Sequence, residues 1–115
     1  MDLNFDQARS KHMFFKTRVR GYLLGSEANT NAFQVYLTEL GEWVNKLATQ
    51  YKLDLAEVLE ANYLHNELAD KTNKLIKLQS SGKEDEAREQ FNQIESTGEK
   101  FLNTLSSLEK QLKNR

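Results

Sequence analysis

The sequence predicts an all-α protein, an antiparallel up-down four-helix bundle, on three observations. Apolar residues recur at alternating spacings of three and four along four long stretches, the periodicity of helices that share one core. Proline is absent, so nothing interrupts these stretches. The segments between them are short, and short connections make successive helices antiparallel neighbours. We expect residues 1–115 to form one domain, because a chain of this length can bury a single core without disulfides.

The first two stretches predict two helices joined by a loop at residues 25–31. Helix 1 should run from about Leu3 to Leu24, with a core seam at Phe5, Ala8, His12, Phe15, Val19 and Tyr22. Helix 2 should run from about Ala32 to Tyr51, with its seam at Phe33, Leu37, Leu40, Val44, Leu47 and Tyr51. Gly41 lies inside helix 2, where glycine weakens a helix by roughly 1 kcal/mol relative to alanine. Such a glycine indicates a reason of packing or function, and we expect Gly41 to permit a close helix contact.

The last two stretches predict helices 3 and 4. Asp54 and Glu57 have the spacing of a capping box at the start of helix 3, which continues to about Ser80. Its core line is Val58, Ala61, His65, Leu68, Thr72 and Leu75, with Leu59, Ala69 and Ile76 beside it. Gly82 suits the left-handed position that ends a helix. Helix 4 starts in the acidic run at residues 84–86 and ends in a basic segment, with its seam at Ala87, Phe91, Ile94, Gly98, Phe101, Leu105, Leu108 and Leu112.

The composition excludes several classes of site and partner. The chain contains no cysteine, which excludes disulfides, thiolate metal sites and cysteine nucleophiles. Its net charge is −1 with both signs mixed along the chain, so we expect no nucleic-acid partner. It has no signal-peptide pattern and no apolar run long enough for membrane insertion. We expect a soluble, cytoplasmic protein.

Catalytic patterns are missing as well. The sequence has no nucleophile elbow, no glycine-rich phosphate loop and no pair of carboxylates on a core seam, so we expect no enzyme. His12 and His65 both fall on core seams, where a histidine is either a metal ligand or a neutral, hydrogen-bonded core residue. The second interpretation is favoured, because zinc sites normally take four ligands.

Short motifs along nearly the whole chain resemble the chemoreceptor zinc-binding (CZB) domain family. The opening helix of that family is matched by Phe5-Asp6-Gln7-Ala8, His12, Phe15-Lys16 and Leu23-Leu24-Gly25. The family's C-x-L-G-x-W box is matched by Thr38, Leu40, Gly41 and Trp43, and its H-x-x-x-H helix by Leu64-His65 with Ala69 and Ile76. Its last helix is matched by Gly82-Lys83, Ala87 and the region of Ser96.

The resemblance implies which residues would stand at a zinc site inside the bundle. His12 corresponds to the family's first histidine and His65 to the second histidine of the H-x-x-x-H pair. Thr38 replaces the cysteine ligand and Ala61 replaces the remaining histidine, so His12 and His65 are the remnant of the site. At 100° per residue, Thr38 also lies about 140° from the centre of the helix 2 seam. We expect no cofactor, with zinc as the alternative.

The resemblance implies a non-enzymatic sensory or regulatory module of bacterial signal transduction, similar to CZB domains attached to chemoreceptors and diguanylate cyclases. Such modules work by shifting helix packing in a bundle, often across a homodimer, and pass that shift to an output domain or partner protein. We therefore expect a homodimer. Because the chain begins at Met1 close to the domain's own start, we expect a free-standing protein or a fragment whose partner domain follows Arg115.

Two alternatives stay open. One is a structural protein-protein interaction bundle that uses apolar residues outside the seams, such as Met13, Phe14 and Leu102. The other is a divergent metal binder using His12 and His65, or a binder of a small ligand in the space left by Ala61 and Gly98.

Overall fold

A computed structural model describes residues 4–25, 30–51 and 56–113 of the chain. It contains four helices, α1 Phe5–Leu23, α2 Asn31–Tyr51, α3 Ala56–Ser80 and α4 Glu84–Lys113, and no strand within the described ranges. The predicted all-α four-helix architecture is confirmed. None of the described helices combines the length and the apolar character needed to cross a membrane.

Side-chain contacts show how neighbouring helices are oriented. For each pair of neighbouring helices, a residue later in one helix contacts a residue earlier in the other, so α1–α2, α2–α3, α3–α4 and α4–α1 all run antiparallel. One set of contacts is Tyr22 with Phe33, His65 with Leu37, Lys71 with Thr97 and Lys16 with Glu95. The other set is Phe5 with Trp43 (5.2 Å between ring centroids), Gln34 with Asn73 (3.1 Å), Gln111 with Glu57 (2.7 Å) and Arg9 with Glu109 (2.7 Å). The bundle measures 49 × 23 × 18 Å.

Local sequence explains where α1 begins and where α3 ends. Asn4 caps α1, because its side-chain oxygen accepts a hydrogen bond from the backbone N–H of Gln7 at 3.0 Å. Gly82 has the predicted left-handed conformation after α3, with φ of 77°. There the N–H of Lys83 donates to the carbonyl of Leu78 at 2.9 Å, which completes a Schellman turn. The predicted capping box at Asp54 and the predicted start of helix 1 at Leu3 fall on residues outside the described ranges.

The core confirms most of the predicted seams. In α4 every predicted seam residue from Ala87 to Leu108 is buried, and Leu112 packs partly against the core. In α3 the prediction is partly wrong: Leu64 is buried in the core, whereas His65 is only half-buried and Leu59 is 67% exposed. A spacing pattern of three and four fits Leu64 as well as His65, so periodicity could not separate them.

Several apolar side chains remain on the surface. Met13 and Phe14 are 52% and 69% exposed, as predicted. Leu102 is partly buried against the core, so its prediction as an exposed contact residue is wrong. Val35 is 55% exposed and borders, together with Phe14, an open groove between α1 and α2.

Candidate functional site

His12 is a buried polar side chain at the centre of the bundle. It projects from the core seam of α1 and is only 2% exposed. Its Nδ1 atom and the hydroxyl of Tyr36 on α2 share a hydrogen bond at 3.0 Å. Burial, with a smaller contribution from the charge of Lys16, lowers the pKa of His12 to about 4. The imidazole is therefore neutral at pH 7.

Tyr36 completes this buried pair. Burial raises its pKa above the ordinary value of 10.0, so the hydroxyl keeps its proton. Its ring stacks on Phe15 with 4.5 Å between centroids and an interplanar angle of 18°. The pair thus joins α1 and α2 through an uncharged hydrogen bond inside an aromatic cluster, which gives Nδ1 of His12 and the hydroxyl of Tyr36 a partner.

The other side of the His12 ring lies against a glycine of α4. A Cβ atom added at Gly98 would lie 2.5 Å from Nε2 and 2.6 Å from Cε1 of His12, closer than real Cβ contacts allow. The space that the sequence offered for a small ligand at Gly98 therefore holds the imidazole of His12. Gly98 lets α1 place a polar ring directly against the α4 backbone.

His65 makes a second contact of the same kind between α3 and α2. Its Nε2–H donates to the backbone carbonyl of Leu37 at 2.8 Å. A Cβ at Gly41 would lie 2.9 Å from Cε1 of His65, so the glycine makes room for the ring. Because Leu37 lies one turn before Gly41, the imidazole reaches that carbonyl across the glycine. The prediction that Gly41 permits a close contact is confirmed, and its neighbour is a histidine.

Each histidine therefore meets a glycine on a helix from the other half of the bundle. His12 on α1 contacts Gly98 on α4, and His65 on α3 contacts Gly41 on α2. The α1–α2 hairpin and the α3–α4 hairpin are joined on both sides by these two contacts, which we call the histidine-glycine contacts. Sequence reasoning identified all four residues singly but not their pairing.

The donor set does not fit a zinc centre. Each imidazole is hydrogen-bonded through one ring nitrogen, to Tyr36 or to Leu37, so it could offer a metal only its other nitrogen. Across residues 4–25, 30–51 and 56–113, no three His, Cys, Asp or Glu side chains come together where they could hold a metal ion. Thr38, which the resemblance equates with the cysteine ligand, is exposed on α2, and Ala61 is fully buried without a donor atom. A zinc site takes four ligands, and only two imidazoles are present at the corresponding positions.

Sequence reasoning also missed Tyr36 as the partner of His12. The signal was present, because Tyr36 lies three residues after Phe33 and four before Leu40, on the buried side of α2. A buried tyrosine normally needs a hydrogen-bond partner, and His12 is a polar residue on the core seam of α1.

Comparisons with known proteins add no relative. No protein-family model, no curated protein and no solved structure matches this chain significantly. The resemblance to CZB domains therefore rests on the short motifs alone.

Proposed function

We propose that this chain is a cytoplasmic, non-enzymatic regulatory bundle of the sensory type that its resemblance to CZB domains implies. In this proposal, the packing of the α1–α2 hairpin against the α3–α4 hairpin carries the signal to an output domain or partner protein. The observation that carries the proposal is the pair of histidine-glycine contacts between the two hairpins.

The unequal packing of the helices supports the α3–α4 hairpin as one of the two units. Among the described residues, α3 and α4 pack against each other more extensively than any other pair of helices. The tight turn at Gly82 joins them, so they form one firm hairpin. At the α1–α4 and α2–α3 interfaces, an imidazole ring lies against a glycine. Packed interfaces switch between discrete arrangements rather than deforming smoothly, and an interface held by a few specific contacts is suited to such switching.

The proposed signal acts through packing and not through zinc. His12 and His65 take the places of two family ligands, but each is engaged with a hydrogen-bond partner and a glycine. In this chain the two histidines hold the helices at a set distance. The homodimer that the resemblance implies is part of the same proposal, and each of its two subunits is one four-helix bundle.

Spin-label distances between the hairpins test the proposal. The chain has no cysteine, so two introduced cysteines can be labelled cleanly. Ser10 on α1 and Asn103 on α4 are both exposed and lie at similar heights in the bundle, and Asn66 on α3 with Asn103 gives the control within one hairpin. We expect Ser10–Asn103 to show two distance populations whose ratio changes in Gly98→Ala, while Asn66–Asn103 shows one population in both proteins.

One narrow Ser10–Asn103 distance that Gly98→Ala leaves unchanged would contradict regulation by hairpin packing. Doubly labelled protein is also measured after dilution with unlabelled protein. Distances that persist on dilution lie within one chain, and those that disappear lie between copies.

The exposed pair Phe14 and Val35 favours a second candidate, a structural protein-protein interaction bundle. Both side chains are more than half exposed and border the same groove between α1 and α2. In this case Phe14→Ser with Val35→Ser should abolish self-association in sedimentation velocity without changing the fold. The matched control is Leu59→Ser with Tyr63→Ser, which removes an exposed apolar pair from α3.

A further inference from the structure

A partly enclosed cavity of about 140 Å³ lies between α1 and α2. Its apolar floor is formed by Ala8 and Leu40, and the side chains of Tyr36 and Trp43 also line it. Two lysines and two glutamates stand around it, Lys11, Lys46, Glu39 and Glu42. This cavity is separate from the histidine-glycine contacts, although Tyr36, which lines it, is the hydrogen-bond partner of His12.

We propose that this cavity is a binding site for a small, uncharged molecule with one aromatic ring. Its size fits this class, because a buried cavity of about 150 Å³ in another protein holds benzene. Aromatic and aliphatic side chains with a few polar groups at the edge are the usual lining of small-molecule sites.

The charges around the cavity decide against a charged ligand. The two lysines and two glutamates cancel in formal charge. Lys11 and Glu39 are joined by an ion pair at 2.7 Å, and Lys46 has an interaction of its own. A charged ligand would have to break such a pair, enter the apolar part of the cavity unpaired, or, if it is a cation, pair with the exposed carboxylate of Glu42. The first two are costly, and an exposed ion pair contributes little. An uncharged ring with one hydroxyl or amide group needs none of these.

The only tryptophan of the chain gives a direct readout, because Trp43 lines the cavity. Benzyl alcohol is the uncharged probe, and benzoate and benzylamine are its anionic and cationic counterparts. Tryptophan emission is recorded during titration of the purified chain, with excitation at wavelengths where the probes do not absorb. We expect a saturable change with benzyl alcohol and a dissociation constant on the order of 1 mM, as befits so few atoms. The charged probes should bind at least about tenfold more weakly.

Two variants locate the site. Ala8→Leu fills the floor, and Gln7→Phe fills the cavity from an exposed position that leaves the core untouched. Both should remove the saturable change. Gln93→Phe places the same side chain on the exposed face of α4 and should keep it. If Ala8→Leu fails to fold, Gln7→Phe alone decides.

Three results would overturn the inference. Without a saturable change in the natural chain, no such site exists. An equal change in Gln7→Phe would mean that the probe quenches Trp43 without occupying the cavity. If benzoate or benzylamine bound as tightly as benzyl alcohol, the assignment to uncharged ligands would be wrong. The inference does not depend on the proposed function, because binding and hairpin packing are measured separately.

Discussion

At the scale of single residues, the bundle depends on two glycines whose missing side chains leave room for imidazole rings. Glycine inside a helix costs roughly 1 kcal/mol relative to alanine, so each position carries a local penalty. Gly98 and Gly41 offset it by letting His12 and His65 approach the neighbouring helix. The two positions differ in how freely the ring can move away, and this difference can be measured.

We predict that Gly98→Ala destabilises the protein and Gly41→Ala hardly does. His12 is 2% exposed and bonded to Tyr36, so a methyl group 2.5 Å from its ring forces the core to shift. Overpacking of this kind costs about 1–3 kcal/mol, and a buried ring that cannot move away places Gly98→Ala in the upper part of that range, at about 2–3 kcal/mol. Subtracting a gain in helix propensity of about 1 kcal/mol leaves a net cost of about 1–2 kcal/mol. His65 is half-buried and can swing outward, so its lost hydrogen bond and the helix gain nearly cancel. Urea unfolding of both variants makes the comparison, and equal costs would contradict it.

Tyr36→Phe should cost about 1–2 kcal/mol, because it leaves Nδ1 of His12 buried without its partner. The same chemical change at Tyr63, which is 58% exposed, is the matched control and should leave stability unchanged. Chemical denaturation of the two variants measures the difference. A Tyr36→Phe protein as stable as the natural chain would show that the hydrogen bond contributes nothing net.

Acid should destabilise the fold through His12. The pKa of this residue falls from 6.5 in the unfolded chain to about 4 in the folded one, so between these values the unfolded chain binds more protons. The stability due to neutral His12 is complete above pH 6.5 and is lost as pH falls through about 4. The loss amounts to about 3 kcal/mol.

His12→Gln isolates this effect, because the carboxylates titrate in both proteins. Between about pH 7 and pH 4, the natural chain should lose about 3 kcal/mol more than the variant in urea unfolding. Parallel stability curves would show that His12 is protonated at little cost in the folded state.

At the scale of helices, periodicity decided the face of each helix but not its partners. The α4 seam has no ambiguous position, and all its residues from Ala87 to Leu108 are buried as predicted. In α3, both Leu64 and His65 fit the spacing of the core positions, and only Leu64 is buried in the core. Which residues of two helices meet depends on their relative height in the bundle. For this reason the pairing of His12 with Gly98 could not be read from spacing.

The turn between α3 and α4 allows a prediction at this scale. Gly82 has φ of 77° and no atom within 4 Å of an added Cβ, so Gly82→Ala costs only backbone strain. We expect a loss of about 1 kcal/mol, the cost of a left-handed conformation for a residue with a Cβ. Ser81→Ala in the same turn is the control and should be nearly neutral. Thermal unfolding of both variants tests this, and equal melting temperatures would contradict it.

At the scale of the whole molecule, the protein consists of two antiparallel hairpins held together on both sides. The α1–α4 side has the contact of His12 with Gly98 and ion pairs of Arg9 with Glu109 at 2.7 Å and Lys16 with Glu95 at 3.4 Å. These pairs are partly exposed, and such pairs contribute little, so the buried contact should dominate on this side. The α2–α3 side has the contact of His65 with Gly41.

A double-mutant cycle on His12 and Gly98 tests this account most directly. In the natural chain we predict that Gly98→Ala costs about 1–2 kcal/mol. In His12→Ala the ring is gone, so the same change should be neutral or stabilise by up to about 1 kcal/mol through helix propensity. In His65→Ala, where His12 remains, Gly98→Ala should keep its full cost. If Gly98→Ala costs the same in all three backgrounds, the glycine does not serve the histidine, and the account of how the hairpins are joined is wrong.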